Sequence, residues 1–228
     1  MVSATINGNR GKGGTHLNAD GLNGIADSAR EHLDAKHKAR EQALALTREV
    51  IRLSANAIRN IHRGNFDAAE VLLDKARDNL AQTEAHLADH RDIYYAGFVH
   101  DSQKEFAEAN TTLALIADRP LPGPEELRVM PSAYLNGIGE TVGELRRHLL
   151  DRMRAGDLEH CERVLGVMGD IYDVLVTMDY PEAVTGGLRR TADAMRGILE
   201  RTRGDFTMSY TQKRLEDRLS ELEGKLAE

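Results

Sequence analysis

The residues best suited to chemistry are carboxylates in two short stretches, DSQKEFAE from Asp101 to Glu108 and GETVGE from Gly139 to Glu144. On a helix advancing about 100° per residue, Asp101, Glu105 and Glu108 fall within about 60° of one another and form an acidic stripe. Glu140 and Glu144 stand one turn apart on a second helix, a like-charge pair that costs an isolated helix roughly 0.2 to 0.5 kcal/mol. Spacing alone leaves two readings open. Either the acids form a solvated face, with Glu144 pairing to Arg147 or His148 a turn on, or they form a cluster across two helices that holds a hard divalent cation. If four carboxylates converge, repulsion at a separation of about 4 Å is on the order of 4 kcal/mol per pair at an effective dielectric of about 20. Protons or a divalent cation must then relieve it.

Other chemistries lack their residues. Di-iron bundles need Glu-x-x-His ligand pairs, and the sequence contains none. It also has no Cys or His cluster of zinc-site spacing, no Gly-rich phosphate loop after a strand and no hydrolase nucleophile motif. All-carboxylate ligation favours Mg²⁺, with Mn²⁺ as the alternative.

Two sets of arginines stand at helical spacing. Arg48, Arg52, Arg59 and Arg63 lie within about 60° of each other, nearly opposite the apolar stripe of Leu46, Val50, Leu53, Ala57 and Ile61. Arg189, Arg196 and Arg203 repeat at i, i+7 and i+14. Each set is either a solvated face or a track for phosphates.

The elements that carry these residues read as helices throughout. Aromatic residues are 4% of the chain, Trp is absent, and Ala, Leu, Glu and Arg abound, so an all-α fold is predicted. Residues 1–24 are Gly- and Asn-rich without periodicity and read as a disordered head, leaving 25–228 as one helical domain. Helical patterns run over about 27–63, 66–90, 94–117, 132–154 and 158–178, with Asn65 and Asp157 placed as caps and Pro181 suited to the first turn of a sixth helix. A seventh carries Leu215, Leu219, Leu222 and Leu226 at 4-3-4 spacing, the seam of a helix that packs against a partner, over too few heptads for a free coiled coil. The segment 118–131 holds four of the five prolines and is the one clear interior loop. Gly137, Gly139 and Gly143 sit inside the helix that bears Glu140. Each costs up to about 1 kcal/mol relative to Ala, which points to tight packing or a ligand close to the backbone.

A net charge of −7 excludes nucleic-acid binding over the whole exterior, so any polyanion site is a local patch or an enclosed surface. No apolar run has the length of a membrane span or the form of a signal peptide, and the single Cys161 has no partner for an internal disulfide. A reducing cytoplasm is the expected location.

The runs REVIRLSANAIRNIHRGNFDAAEVLLDKAR, DSQKEFAEA, YLNGIGETVGELRR, MRAGDLE, YDVLVTMDYP and GGLRR occur in an order that resembles the translin and TRAX family over about residues 28–226. YLNGIGETVGELRR is the most specific of them. The resemblance implies a bundle of seven α-helices, in agreement with the count from periodicity. It also implies the TRAX branch, because Glu105 and Glu108 match its Glu-x-x-Glu, and Glu140 and Glu144 match its acidic pair four apart. One position departs: Glu140 stands where animal TRAX proteins usually have the shorter Asp. By resemblance, then, Glu105, Glu108, Glu140 and Glu144 bind Mg²⁺ and cleave single-stranded RNA inside a hollow homo-octamer. Arg48, Arg52, Arg59 and Arg63, with Arg146 and Arg147 nearer the acids, are the candidates to hold the strand. A catalytically silent translin-like binder of single-stranded RNA or DNA is the alternative.

Overall fold

A computed structural model describes residues 19–227, with side chains described over 21–226. Its helices are α1 (Ala19–His62), α2 (Phe66–His86), α3 (Arg91–Tyr94), α4 (Gly97–Ile116), α5 (Pro124–Leu127), α6 (Pro131–Arg154), α7 (Leu158–Leu175), α8 (Glu182–Thr185) and α9 (Leu188–Ala227). No strand occurs among the described residues, so the fold is all-α as the composition predicts.

The helix count differs from the periodic reading in two places. The sixth and seventh helices are one continuous α9 of 40 residues. Pro181 precedes the single turn α8 instead of opening that helix, and Gly186 and Gly187, both at positive φ, separate the two. Single turns also stand at α3 and, within the proline-rich loop, at α5. Of the two expected caps, Asp157 accepts from the His160 amide at 3.2 Å, whereas Asn65 caps α2 through no side-chain bond.

The chain divides into two compact units after Lys38. In the first, the described part of α1 leaves Leu22, Ile25 and Leu33 exposed. That helix begins at Ala19, inside the expected head, because extending a formed helix adds one hydrogen bond for each residue fixed. The rest of the expected head, 1–18, lies outside the described residues. The second unit, Ala39–Glu228, contains the core. There α1 contributes Val50, Leu53, Ala57 and Ile61, and α6 contributes Ile138, Val142, Leu145 and Leu149. These are the stripes that periodicity predicts.

Helix α6 packs against α4, α7 and α9. Its contact with α4 is close because Gly137 has no side chain. A Cβ there would lie 2.6 Å from the Lys104 carbonyl oxygen and 2.9 Å from Ala107 Cβ. One turn further, the Thr111 and Thr141 hydroxyls meet at 2.7 Å, each also within reach of a carbonyl on its own helix. At Gly139 a Cβ would lie 2.5 Å from Thr191 Cγ2 of α9, whereas at Gly143 the nearest atom would be 4.0 Å away. Close approach therefore accounts for the first two glycines and not for the third.

Gly137→Ala is expected to destabilise the protein by about 1 to 3 kcal/mol, because the new methyl meets backbone as well as side chain. Gly143→Ala is expected to stabilise it by up to about 1 kcal/mol through helix propensity. Urea denaturation of the two variants checks both signs.

Candidate metal centre

The crossing of α4 and α6 brings the two acidic stretches together. Glu105 and Glu108 project from one face of α4 and Glu140 from α6, and one carboxylate oxygen from each lies within 4.8 Å of the other two. All three side chains are half-buried. Lys104 stands among them, its Nζ donating to Glu140 Oε1 at 2.7 Å and lying 3.6 Å from Glu105 Oε1. The helical arithmetic that groups Asp101, Glu105 and Glu108 places Lys104 on the same face, a signal legible in the sequence but not drawn from it. Asp101 is exposed, 3.8 Å from His100 Nδ1, and stays outside the group.

Mutual repulsion and burial act on these carboxyls. Glu108 is pushed up to about 8, first by burial and then by the charges of Glu105, Glu140 and Glu144. Burial also raises Glu105, with Lys104 opposing and Glu140 adding. Burial works against the Lys104 ammonium, but its hydrogen bond to Glu140 and the surrounding carboxylates outweigh that and hold its pKa above the usual value.

Glu144 has a different environment. Its Oε2 lies 2.5 Å from His62 Nε2 of α1, whose side chain is buried, and 3.9 Å from Arg147. The hydrogen bond with His62 is the largest influence on Glu144 and sets its pKa below the ordinary carboxylate range. The structure thus joins three of the four expected acids in one group and places the fourth beside it, engaged with an imidazole. Of the two neighbours that sequence spacing offers, Arg147 and His148, the structure brings Arg147 near Glu144, and His62 comes in addition.

A cleft of about 370 Å³ opens on this group. Glu108, Gly139 and Glu140 form one wall, and Arg190, Thr191, Ala194, Met195 and Ile198 of α9 the other. Asn136 fastens that wall: its Nδ2 donates to the Thr185 carbonyl at 2.7 Å, and its Oδ1 accepts from Thr191 Oγ1 at 2.7 Å. Arg190 is largely exposed, 3.7 Å from Glu182. Arg190, Thr191 and His62 reach the site only through contacts between helices, so no local pattern marks them.

The predicted arginines fall in four settings. Arg48, Arg52 and Arg59 are exposed on α1 and Arg63 in the turn that follows it, with Arg52 held by Glu49 and Arg59 bonded to Asn56. Arg146 is tied to α9, 2.7 Å from Asp205 and 2.9 Å from Thr202 Oγ1. Arg147 is exposed and lines a second cleft, of about 410 Å³, with Arg146, Asp151 and Arg154. The second set, Arg189, Arg196 and Arg203, lies exposed along α9.

The donor set consists of carboxylate oxygens without His or Cys, which suits a hard divalent ion. A cation already sits among these oxygens in the form of the Lys104 ammonium, so the geometry accommodates positive charge.

No family model matches the sequence. An uncharacterized protein of Methanocaldococcus jannaschii is 30% identical over 197 residues, which cover 84% of this chain and 86% of that protein. Among solved structures, Archaeoglobus C3PO in complex with duplex RNA has a TM-score of 0.76 at 33% identity, covering 82% of this chain and 97% of that one. A crystal structure of the same C3PO gives 0.76 at 32%, covering 82% and 98%. Neurospora apo-C3PO, with a TM-score of 0.73 at 19% identity over 81% and 96%, shares the fold. On an all-α fold that matches C3PO across nearly the whole of its chain, at about one residue in three identical, this protein belongs to the translin family.

Proposed function

We propose that the protein is a TRAX-like, Mg²⁺-dependent endoribonuclease that cleaves single-stranded RNA. The observation that carries this reading is the convergence of Glu105, Glu108 and Glu140 within 4.8 Å, two of which, Glu108 and Glu140, line a cleft that Arg190 also lines. The likeness to a C3PO solved with duplex RNA supports a nucleic-acid substrate.

Glu105, Glu108 and Glu140 would each offer an oxygen to the ion, with Mn²⁺ able to replace Mg²⁺. When bound, the ion stabilises negative charge developing on the phosphodiester. The residues of the chain do the rest. Glu108 must release its proton as the cation enters, because its carboxyl is held at about 8 by burial and by its acidic neighbours. Lys104, beside the acids, and Arg190, on the other wall of the cleft, are the cations that would meet the phosphate of a substrate. The proton of the attacking water would pass to a carboxylate oxygen of this group that the ion leaves free. Glu144, fixed by His62, acts on Glu108 through its charge and is a positioning residue rather than a ligand.

Arg48, Arg52 and Arg59 along α1, with Arg63 just past its end, extend the phosphate-binding surface, and Arg146 and Arg147 do so at the second cleft. In this reading the subunits form a cytoplasmic homo-octamer with basic faces inward, which reconciles RNA binding with a net charge of −7. No described helix is long and apolar enough to cross a membrane. One observation favours the silent binder of single-stranded RNA or DNA: Lys104 already neutralises part of the acidic group without any metal.

Cleavage of a fluorescent single-stranded RNA separates the two. The parent protein is expected to cut with Mg²⁺ and to stop in EDTA, and Glu108→Gln is expected to lower the rate by about 100-fold or more while RNA stays bound. Binding without any cutting by the parent establishes the silent reading. Retained Mg²⁺-dependent cutting in both Glu108→Gln and Glu140→Gln refutes the site.

The raised Glu108 also sets a pH dependence. The metal-free fold retains that proton where the unfolded chain has lost it, so stability declines as pH rises from about 4.5 to about 8. Thermal melting in EDTA is expected to show this decline, shallower in Glu108→Gln, with a remainder from Glu105. Apparent Mg²⁺ affinity, measured by calorimetry, is expected to rise through the same window and level off above it.

A further inference from the structure

Gly143 is the glycine of α6 that packing does not explain. A Cβ at that position would meet only Ile198 Cδ1, at 4.0 Å, although a glycine in mid-helix opposes helix formation. The gap it leaves lies between the two clefts. Gly143 lines the second cleft, and Ile198, the side chain nearest to it, lines the acidic one. At about 100° per residue, Gly139 and Glu140 of the first cleft and Gly143, Arg147, Leu150 and Arg154 of the second fall within about 100° of one another. They form one face of α6, about 22 Å long.

The sign of the charge reverses along this face. On the near side of Gly143 the acidic cleft holds Glu108 and Glu140; beyond Gly143, Arg146, Arg147 and Arg154 line the second cleft with Asp151 as its single acid. Arg146 crosses to Asp205 and Thr202 of α9 and borders the face on that side. Arg147 and Arg154 are 57% and 79% exposed, paired with Glu144 at 3.9 Å and with Asp151 at 2.9 Å. Exposed ion pairs of this kind contribute little to stability, so a phosphate can take the place of either carboxylate.

We infer that a single RNA strand leaves the acidic cleft along α6, passing over Gly143 so that its next phosphates meet Arg147 and Arg154. Gly143 is a positioning residue: it supplies the clearance between the reacting phosphate and the two arginines. The identity of the strand rests on the activity proposed above, whereas its path over Gly143 does not require cutting.

The test measures anisotropy of a fluorescein-labelled single-stranded RNA on the full chain carrying Glu108→Gln, at a low fixed Mg²⁺ and a series of NaCl concentrations. Arg147→Ala and Arg154→Ala are each expected to reduce the slope of log affinity against log salt by about 0.7, the value of one phosphate contact on a single strand. Gly143→Leu removes no charge, yet it is expected to reduce the slope by about 1.4 and the affinity about tenfold or more, because the strand no longer reaches either arginine. Gly143→Ala is expected to resist urea better than the parent and to bind the RNA about threefold more weakly, opposite signs that a purely structural glycine does not give. An unchanged salt slope in Gly143→Leu overturns the path, as does an unchanged slope in both arginine variants. The two proposals fail separately. If the parent cuts RNA and Gly143→Leu binds it with the parent's slope, the path alone is lost; if the parent does not cut but Gly143→Leu loses the slope, the path stands and the nuclease reading falls.

Discussion

The candidate site depends on how closely the α4 and α6 backbones approach at Gly137. Any side chain at that position would enter the space of the Lys104 carbonyl and the Ala107 methyl. With the helices this near, Glu108 and Glu140 project toward each other, and the Thr111 and Thr141 hydroxyls lock the register beneath them. Glycine in mid-helix opposes helix formation, so its presence means that tertiary contact outweighs local propensity. Separating the helices by the width of a methyl would relax the carboxylates and dissolve the site. The glycine therefore belongs to the chemistry although it carries no functional group.

That approach creates an electrostatic problem. Three carboxylates within 4.8 Å repel by about 3.5 kcal/mol per pair at an effective dielectric of about 20. The chain relieves it with a proton on Glu108 and with the ammonium of Lys104. Both are exchangeable for a divalent cation, since the proton can leave and the lysine side chain can swing away. A lysine fixed in a buried pair would compete with metal permanently, but Lys104 remains partly exposed on a flexible stem. Glu144 avoids the problem by pairing with His62, which keeps a fourth full charge outside the cluster while its field still acts on Glu108.

Most of the helices and the acidic stripes were legible because both follow one periodicity. Apolar residues at helical spacing placed Val50, Leu53, Ala57 and Ile61 in the core, and the same arithmetic placed Glu105 and Glu108 on one face. Whether that face meets another was not legible from spacing, because convergence is a property of helix crossing rather than of one helix. Resemblance supplied the pairing of α4 with α6 before the structure showed it. It supplied no sign that Glu144 stands apart, since His62 approaches from α1, far away in the chain. Arg190 escaped notice for the same reason: its place opposite the acids comes from Asn136 bonding to Thr191 and Thr185, contacts that local patterns do not encode.

Helix α9 shows how one periodicity can serve two surfaces. A single 4-3-4 pattern, Met195, Leu199, Thr202 and Phe206, repeated twenty residues later by Leu215, Leu219, Leu222 and Leu226, must emerge on nearly the opposite side of the helix, because twenty is far from a whole number of 3.6-residue turns. The first copy of the pattern is satisfied by α6 and α7, and the second begins where those helices no longer reach. A designed surface helix would present charge there. Instead four leucines remain exposed, flanked by acids on one side and bases on the other. The residues that line the acidic cleft, by contrast, come from α4, α6 and α9 of one chain.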